Sequence, residues 1–161
     1  MVVSFLHSVG CEMFLPRAGM SEATLISIVD DDALVCDGTA ALVESLGYNA
    51  ITFASAEHFL GSDVIAETTC LITDMQMPGL NGLELQEALR SQGYQTPVIV
   101  ITAYPDEKYR TRAFANGAVG FLSKPFDEKS LIECLTVAIK LQSSQAWRRR
   151  TAAQAMNVLF T

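Results

Sequence analysis

Long apolar runs, clustered cysteines, a basic start and strong overall charge are all scarce in this chain of 161 residues. No stretch approaches the roughly 18 continuous apolar residues of a membrane span. Met1-Val2-Val3-Ser4-Phe5-Leu6 is apolar, but no Lys or Arg precedes it, and His7 and Glu12 soon interrupt the pattern. A secretory signal needs a basic start and an unbroken apolar core, so none is read here. The four cysteines, Cys11, Cys36, Cys70 and Cys134, form no Cys-x-x-Cys and have no paired histidines. That spacing argues against a thiolate metal site and for free thiols in a reducing compartment, hence the cytoplasm. The two histidines, His7 and His58, are not placed for catalysis. Repeats and low-complexity tracts are absent as well.

Charged residues make up 18% of the chain and apolar ones 50%, which suits a sheet buried on both faces. The net charge of −7 argues against general affinity for nucleic acid, whose phosphates would repel it. Four short apolar runs stand out, each ending in a polar residue. Leu25 to Val29 ends in Asp30-Asp31-Asp32, and Cys70 to Thr73 ends in Asp74. Val98 to Ile101 ends in Thr102, and Gly120 to Ser123 ends in Lys124-Pro125. Each run has the length and β-branched content of a buried strand, and segments of helical period separate them. In a parallel α/β sheet every strand end of one kind emerges on one edge, where ligands bind. At least three carboxylates, a hydroxyl and an ammonium would then converge from distant positions. Carboxylates packed without a counter-ion repel, so the cluster implies a cation, and oxygen-only donors favour Mg²⁺. A cation, a lone carboxylate, a hydroxyl and a lysine are the parts that form and hold an aspartyl phosphate.

Ile28-Val29-Asp30-Asp31-Asp32, the segment Leu71 to Gly82, Ile101-Thr102-Ala103 and Lys124-Pro125-Phe126 together resemble the receiver domain of bacterial two-component response regulators. The resemblance covers roughly residues 23 to 142 and is similar in style to regulators of the FixJ type. It implies a flavodoxin-like (β/α)5 fold, a doubly wound five-stranded parallel sheet with two helices on one face and three on the other. It implies that Asp74 accepts a phosphoryl group from a sensor histidine kinase, with Thr102 and Lys124 contacting that group. Asp30, Asp31, Asp74 and the backbone carbonyl of Gln76 would hold Mg²⁺. The Lys124–Pro125 bond would be cis, and Thr102 and Phe121 would act as switch residues. The expected role is a phosphorylation-controlled signalling module, at most catalysing its own phosphotransfer and dephosphorylation.

Each residue also has a plainer reading. Asp74 could cap its loop, and Asp30 to Asp32 could form an acidic turn, the favoured role for Asp32 being a helix cap. Thr102 could be an ordinary strand residue, Lys124 a solvated cation and Phe121 a core aromatic. An Mg²⁺-dependent phosphohydrolase would carry a second Asp two residues after its nucleophile, where Gln76 stands, and a cap insertion that this chain lacks. A flavin-binding domain would need a Ser/Thr/Gly-rich loop after the first strand, where three aspartates stand. A scaffold receiver that is never phosphorylated is the remaining alternative, and the complete set of site residues speaks against it. The resemblance also implies that Gln76 and Tyr104, two positions that depart from the best-known receivers, flank the path of hydrolytic water, so the lifetime of an acyl phosphate is open.

The periodicity predicts strands at 49–53 and 118–123 besides those above. It predicts helices carrying Val35, Leu42, Val43 and Leu46; a short one capped by Ser55; one carrying Leu83, Leu85, Ala88 and Leu89; and one over 106–116. A last helix should start at Asp127, bury Leu131, Leu135, Ala138 and Ile139, and run on past Trp147 toward Met156, since no Gly or Pro interrupts it. Three regions are therefore expected: a non-structural extension over 1–22, the receiver over 23–142 and a helical extension or tail over 143–161. About 20 residues follow Leu141, too few for a DNA-binding helix-turn-helix domain. The expectation is a stand-alone receiver or a truncated relative, pairing through its last helix or through the face of the fourth helix, fifth strand and fifth helix, and binding neither nucleic acid nor membrane.

Overall fold

The structure is a computed structural model that describes residues 24–160, with side chains through residue 144. The expected extension over 1–22 lies outside the described residues, as do the side chains of Trp147, the arginines at 148–150 and Met156. Five parallel strands form one sheet in the order β2-β1-β3-β4-β5, where β1 is Leu25–Val29, β2 Asn49–Phe53, β3 Cys70–Asp74, β4 Val98–Thr102 and β5 Ala118–Ser123. The helices between and after them are α1 Ala33–Ser45, α2 Ala56–Leu60, α3 Gly82–Ser91, α4 Glu107–Ala115 and α5 Glu128–Phe160.

Alternation along the strands sorts the core into two layers. Ile26, Ile28, Cys70, Ile72, Ile99 and Ile101 pack with Cys36 and Val43 of α1 and with Leu131, Leu135 and Ala138 of α5. The opposite sheet face sends Val29, Leu71, Val98, Val100 and Phe121 against Phe59 of α2, Leu83, Leu85 and Leu89 of α3 and Ala113 of α4. Two helices on one face and three on the other is thus the observed arrangement. Both faces are covered, which is why the central strands read as continuous apolar runs rather than alternating ones.

Local chemistry sets the element ends. Asp32, Ser55, Asn81 and Asp106 each accept a backbone N–H from the first turn of the helix they cap. Asp127 accepts from the Ser130 N–H at 2.9 Å. Gly47, at φ +94°, turns the chain from α1 into β2, a left-handed conformation that disfavours any side chain. Two helices bury faces that differ from the apolar pattern. In α1 the buried residues are Cys36, Thr39 and Val43, while Val35 and Leu42 are half-buried. In α3 Gln86 is buried where Ala88 was expected to be, and its Nε2 donates to the Ala113 carbonyl at 3.0 Å. A polar side chain substitutes for an apolar one there because it finds a partner on the neighbouring helix.

Candidate functional site

The strand order reverses between β1 and β3, and the crevice beyond their carboxyl ends is where an α/β sheet binds ligands. Asp30 follows β1 and is buried, its amide donating to the Phe53 carbonyl at 3.1 Å. Its Oδ1 accepts from the Asp32 N–H at 2.9 Å, which fixes the turn into α1. Asp31 points out of that turn and is exposed. Asp74 closes β3 and is buried, with Asp74 and Ile101 in register between β3 and β4. Carboxylate oxygens of Asp30, Asp31 and Asp74 all lie within 4.8 Å of one another.

Lys124 reaches this cluster from the end of β5. Its Nζ lies 3.0 Å from Asp30 Oδ2 and 3.2 Å from Asp74 Oδ1. Its own amide donates to the Thr102 carbonyl at 2.7 Å, which ties the lysine to the end of β4, and the Lys124–Pro125 bond is cis. Burial pulls the ammonium down, but hydrogen bonds and charge from Asp30 and Asp74 outweigh it and hold Lys124 above the ordinary lysine value. For Asp74 the balance goes the other way. Burial, then the Asp30 charge, raise its carboxyl above the usual carboxylate range, and Lys124 offsets only part of this.

Thr102 is fully buried, and its Oγ1 accepts from the Tyr104 N–H at 3.0 Å rather than touching a carboxylate. Phe121 is also buried, and its ring borders a groove of about 240 Å³ with Pro105, Asp106, Glu107, Arg110 and Ser123. Gln76 is exposed in the loop after β3. That loop closes where the Gly82 N–H donates to the Met75 carbonyl at 2.9 Å. A Cβ on Gly82 would lie 2.6 Å from the Asp74 carbonyl oxygen, so only glycine lets α3 start this close to the strand end. Asp30, Asp74 and Lys124 therefore meet directly, with Asp31 beside them, while Thr102 is engaged with the Tyr104 amide and Phe121 lies in the core beside the α4 groove.

The donor set suits a hard cation. It offers only carboxylate oxygens, with neither sulfur nor imidazole among them. Three carboxylates faced by one ammonium leave two negative charges, and the Asp30 charge adds to burial in raising the Asp74 carboxyl. A cation there would relieve that excess. Among the described residues, burial raises Cys36, Cys70 and Cys134, which keeps these thiols protonated and unreactive, and Cys36 Sγ donates to the Asp30 carbonyl at 3.3 Å. One residue next to the site carries no signal in the sequence. Glu57 of α2 accepts from the Leu80 N–H at 2.9 Å, a contact across 23 positions that no local pattern encodes.

Comparison with known proteins identifies the fold and the family. The model of the response regulator receiver domain matches residues 26–136. The transcriptional regulatory protein TdiR of Thauera aromatica is 32% identical over 139 residues, covering 86% of this chain and 61% of TdiR. The response regulator protein TodT of Pseudomonas putida is 37% identical over 123 residues, covering 76% of this chain and 54% of TodT. The chain thus spans between half and two thirds of the length of these relatives. Among solved structures, response regulator StyR superposes with a TM-score of 0.79 at 34% identity, covering 86% of this chain and 70% of StyR. A structure titled FixJ-N gives 0.66 at 32% identity, covering 73% of this chain and 94% of that one. Among the described residues no helix is long and apolar enough to cross a membrane. The chain belongs to the response regulator receiver domains, the phosphorylation-controlled signalling modules of two-component systems.

Proposed function

We propose that Asp74 is the phosphoacceptor of this module, and that a sensor histidine kinase is its donor. The observation that carries this reading is the Lys124 ammonium set between Asp30 and Asp74, with three carboxylates gathered from two strand ends. Asp74 attacks the phosphorus of a phosphohistidine. The phosphorus–nitrogen bond breaks, its electron pair stays on the imidazole, and an acyl phosphate forms on Asp74. Mg²⁺, held by Asp30, Asp31, Asp74 and the Gln76 carbonyl, would neutralise charge on the arriving phosphoryl group. Lys124 gives up its contact with the Asp74 carboxylate and pairs with a phosphoryl oxygen, a charge-assisted contact. Thr102 turns its hydroxyl from the Tyr104 amide toward another phosphoryl oxygen.

That turn leaves space beside β4, and Phe121 moves into it from the rim of the groove between α4 and β5. The face of α4, β5 and α5 is thereby reshaped for a partner, a second copy of the chain or another protein. Phe114 of α4 is 40% exposed. A swing from about 1:99 to 99:1 needs about 5.5 kcal/mol of preference for the active shape. Residues 23–142 act as the signalling unit, in the cytoplasm, and 143–161 serve as a pairing or relay segment. The test is amide hydrogen exchange with Mg²⁺ and acetyl phosphate. Protection should change across residues 102–123 in the wild type and stay unchanged in Asp74→Asn. An unchanged pattern in the phosphorylated wild type would refute the switch.

A further inference from the structure

The loop from Gln76 to Leu80 is gripped by one side chain from another element among the described residues. That side chain is Glu57, near the start of α2, whose Oε2 accepts from the Leu80 N–H at 2.9 Å. Glu57 is exposed, so burial gives no reason for its placement. The Leu80 amide is the main reason its carboxyl sits below the usual carboxylate range. The loop is shaped to receive it. Gly79 lies at φ +79°, and a Cβ there would be 2.5 Å from Glu57 Oε2. The backbone at Gly79 therefore passes directly against the carboxylate, which a side chain would push away.

The other anchors of this loop sit at its ends. Gly82 closes onto Met75, and Asn81 with Glu84 forms a reciprocal cap at the start of α3. Met77 and Leu80 are half-buried against the core, while Gln76, Pro78 and Gly79 are exposed. Among the described residues, only Glu57 gives the middle of the loop a directional hold; its other contacts there are apolar.

We infer that Glu57 is a positioning residue for the phosphoacceptor site: by clamping Leu80 over Gly79 it sets the path of the loop that presents Gln76 beside Asp74. This rests on the proposal that Asp74 is a phosphoacceptor assisted by Mg²⁺. A loop already held in its bound shape spares the cation the entropy of ordering it, so the clamp acts on Mg²⁺ affinity more than on fold stability.

The experiment uses the full chain as wild type, Glu57→Ala, Glu57→Gln and Gly79→Ala. Four quantities are read: Leu80 amide exchange in EDTA, Mg²⁺ affinity by calorimetry, acetyl phosphate labelling of Asp74 at limiting and saturating Mg²⁺, and Tm. Glu57→Ala should speed Leu80 exchange about tenfold, the loss of roughly one hydrogen bond. It should weaken Mg²⁺ binding about tenfold, the low end for removing an outer partner of a metal site. Labelling should slow at limiting Mg²⁺ and recover at saturation, with Tm within about 2 °C of wild type, as for an exposed substitution. Glu57→Gln keeps an acceptor for Leu80 and should behave as wild type, and Gly79→Ala should reproduce the Glu57→Ala loss. Wild-type Mg²⁺ affinity in Glu57→Ala would overturn the inference, and so would a Glu57→Gln variant as weak as the alanine. A wild type that binds no Mg²⁺ and is not labelled at Asp74 would instead overturn the underlying reading, and the inference with it.

Discussion

Replacing Asp74 by asparagine should make the metal-free protein more stable at neutral pH, although it removes an ion pair. Asp74 faces two like charges within 4.8 Å and one opposite charge at 3.2 Å. At an effective dielectric of about 20, each repulsion is about 3.5 kcal/mol and the attraction about 5; in bulk water they are about 0.9 and 1.3. On either scale two repulsions exceed one attraction, by about 0.4–2 kcal/mol. The desolvation of a buried carboxylate adds to that penalty, and an asparagine oxygen still accepts from Lys124. A gain of this size raises Tm by about 2–7 °C in a domain of this length. The pH dependence has a definite sign. Asp74 is raised in the folded state, so the folded protein holds that proton more tightly than the unfolded chain. The wild type loses stability as pH climbs from the ordinary Asp value, about 3.9, through the raised one. The advantage of Asp74→Asn therefore grows as pH rises from the ordinary Asp value through the raised one and fades below it. Thermal melts in EDTA at low salt measure it. Adding Mg²⁺ should reverse the order, since the wild type binds it better and is stabilised by mass action. A variant melting at or below wild type in EDTA at pH 7 would refute the reasoning.

Lys124→Met leaves Asp30 and Asp74 without their ammonium, so it should lower the metal-free Tm at pH 7 and slow labelling by acetyl phosphate; an unchanged Tm would show the two contacts to be idle. Gly120→Ala puts a Cβ onto Cys134 Sγ and 3.1 Å from its Cβ, and such overpacking should cost about 1–3 kcal/mol by denaturant melts. Adding Cys134→Ala to it should recover most of that loss, and a cost that stays additive would contradict the contact. Truncation after Leu141 should leave Asp74 labelling intact and reduce self-association in sedimentation, and two chains that both sediment as monomers would refute a pairing role for the end of α5.

Much of the architecture was legible because the strands of a doubly covered sheet announce themselves as apolar runs, and because Asp32, Ser55 and Asp127 are cap residues in cap positions. The ends of those runs alone put Asp30, Asp74, Thr102 and Lys124 on one edge. The features that stayed hidden depend on partners distant in sequence. Gln86 looks like an exposed helix residue until α4 brings the Ala113 carbonyl to it. The buried face of α1 runs through Cys36 and Thr39, a thiol and a hydroxyl that hydrophobic periodicity undervalues. Thr102 holds the Tyr104 amide, a loop conformation that no spacing encodes. Glu57 meets Leu80 only because α2 and the loop after β3 lie side by side.

The most direct measurement is the position of the phosphoryl group. The full chain, incubated with Mg²⁺ and acetyl phosphate, should gain one phosphoryl mass. Borohydride reduction followed by peptide mapping should place it on the carboxylate of Asp74, with none gained by Asp74→Asn or without the metal. A phosphoryl group mapped to any other residue, or an Asp74→Asn variant labelled as fast as wild type, would contradict the assignment.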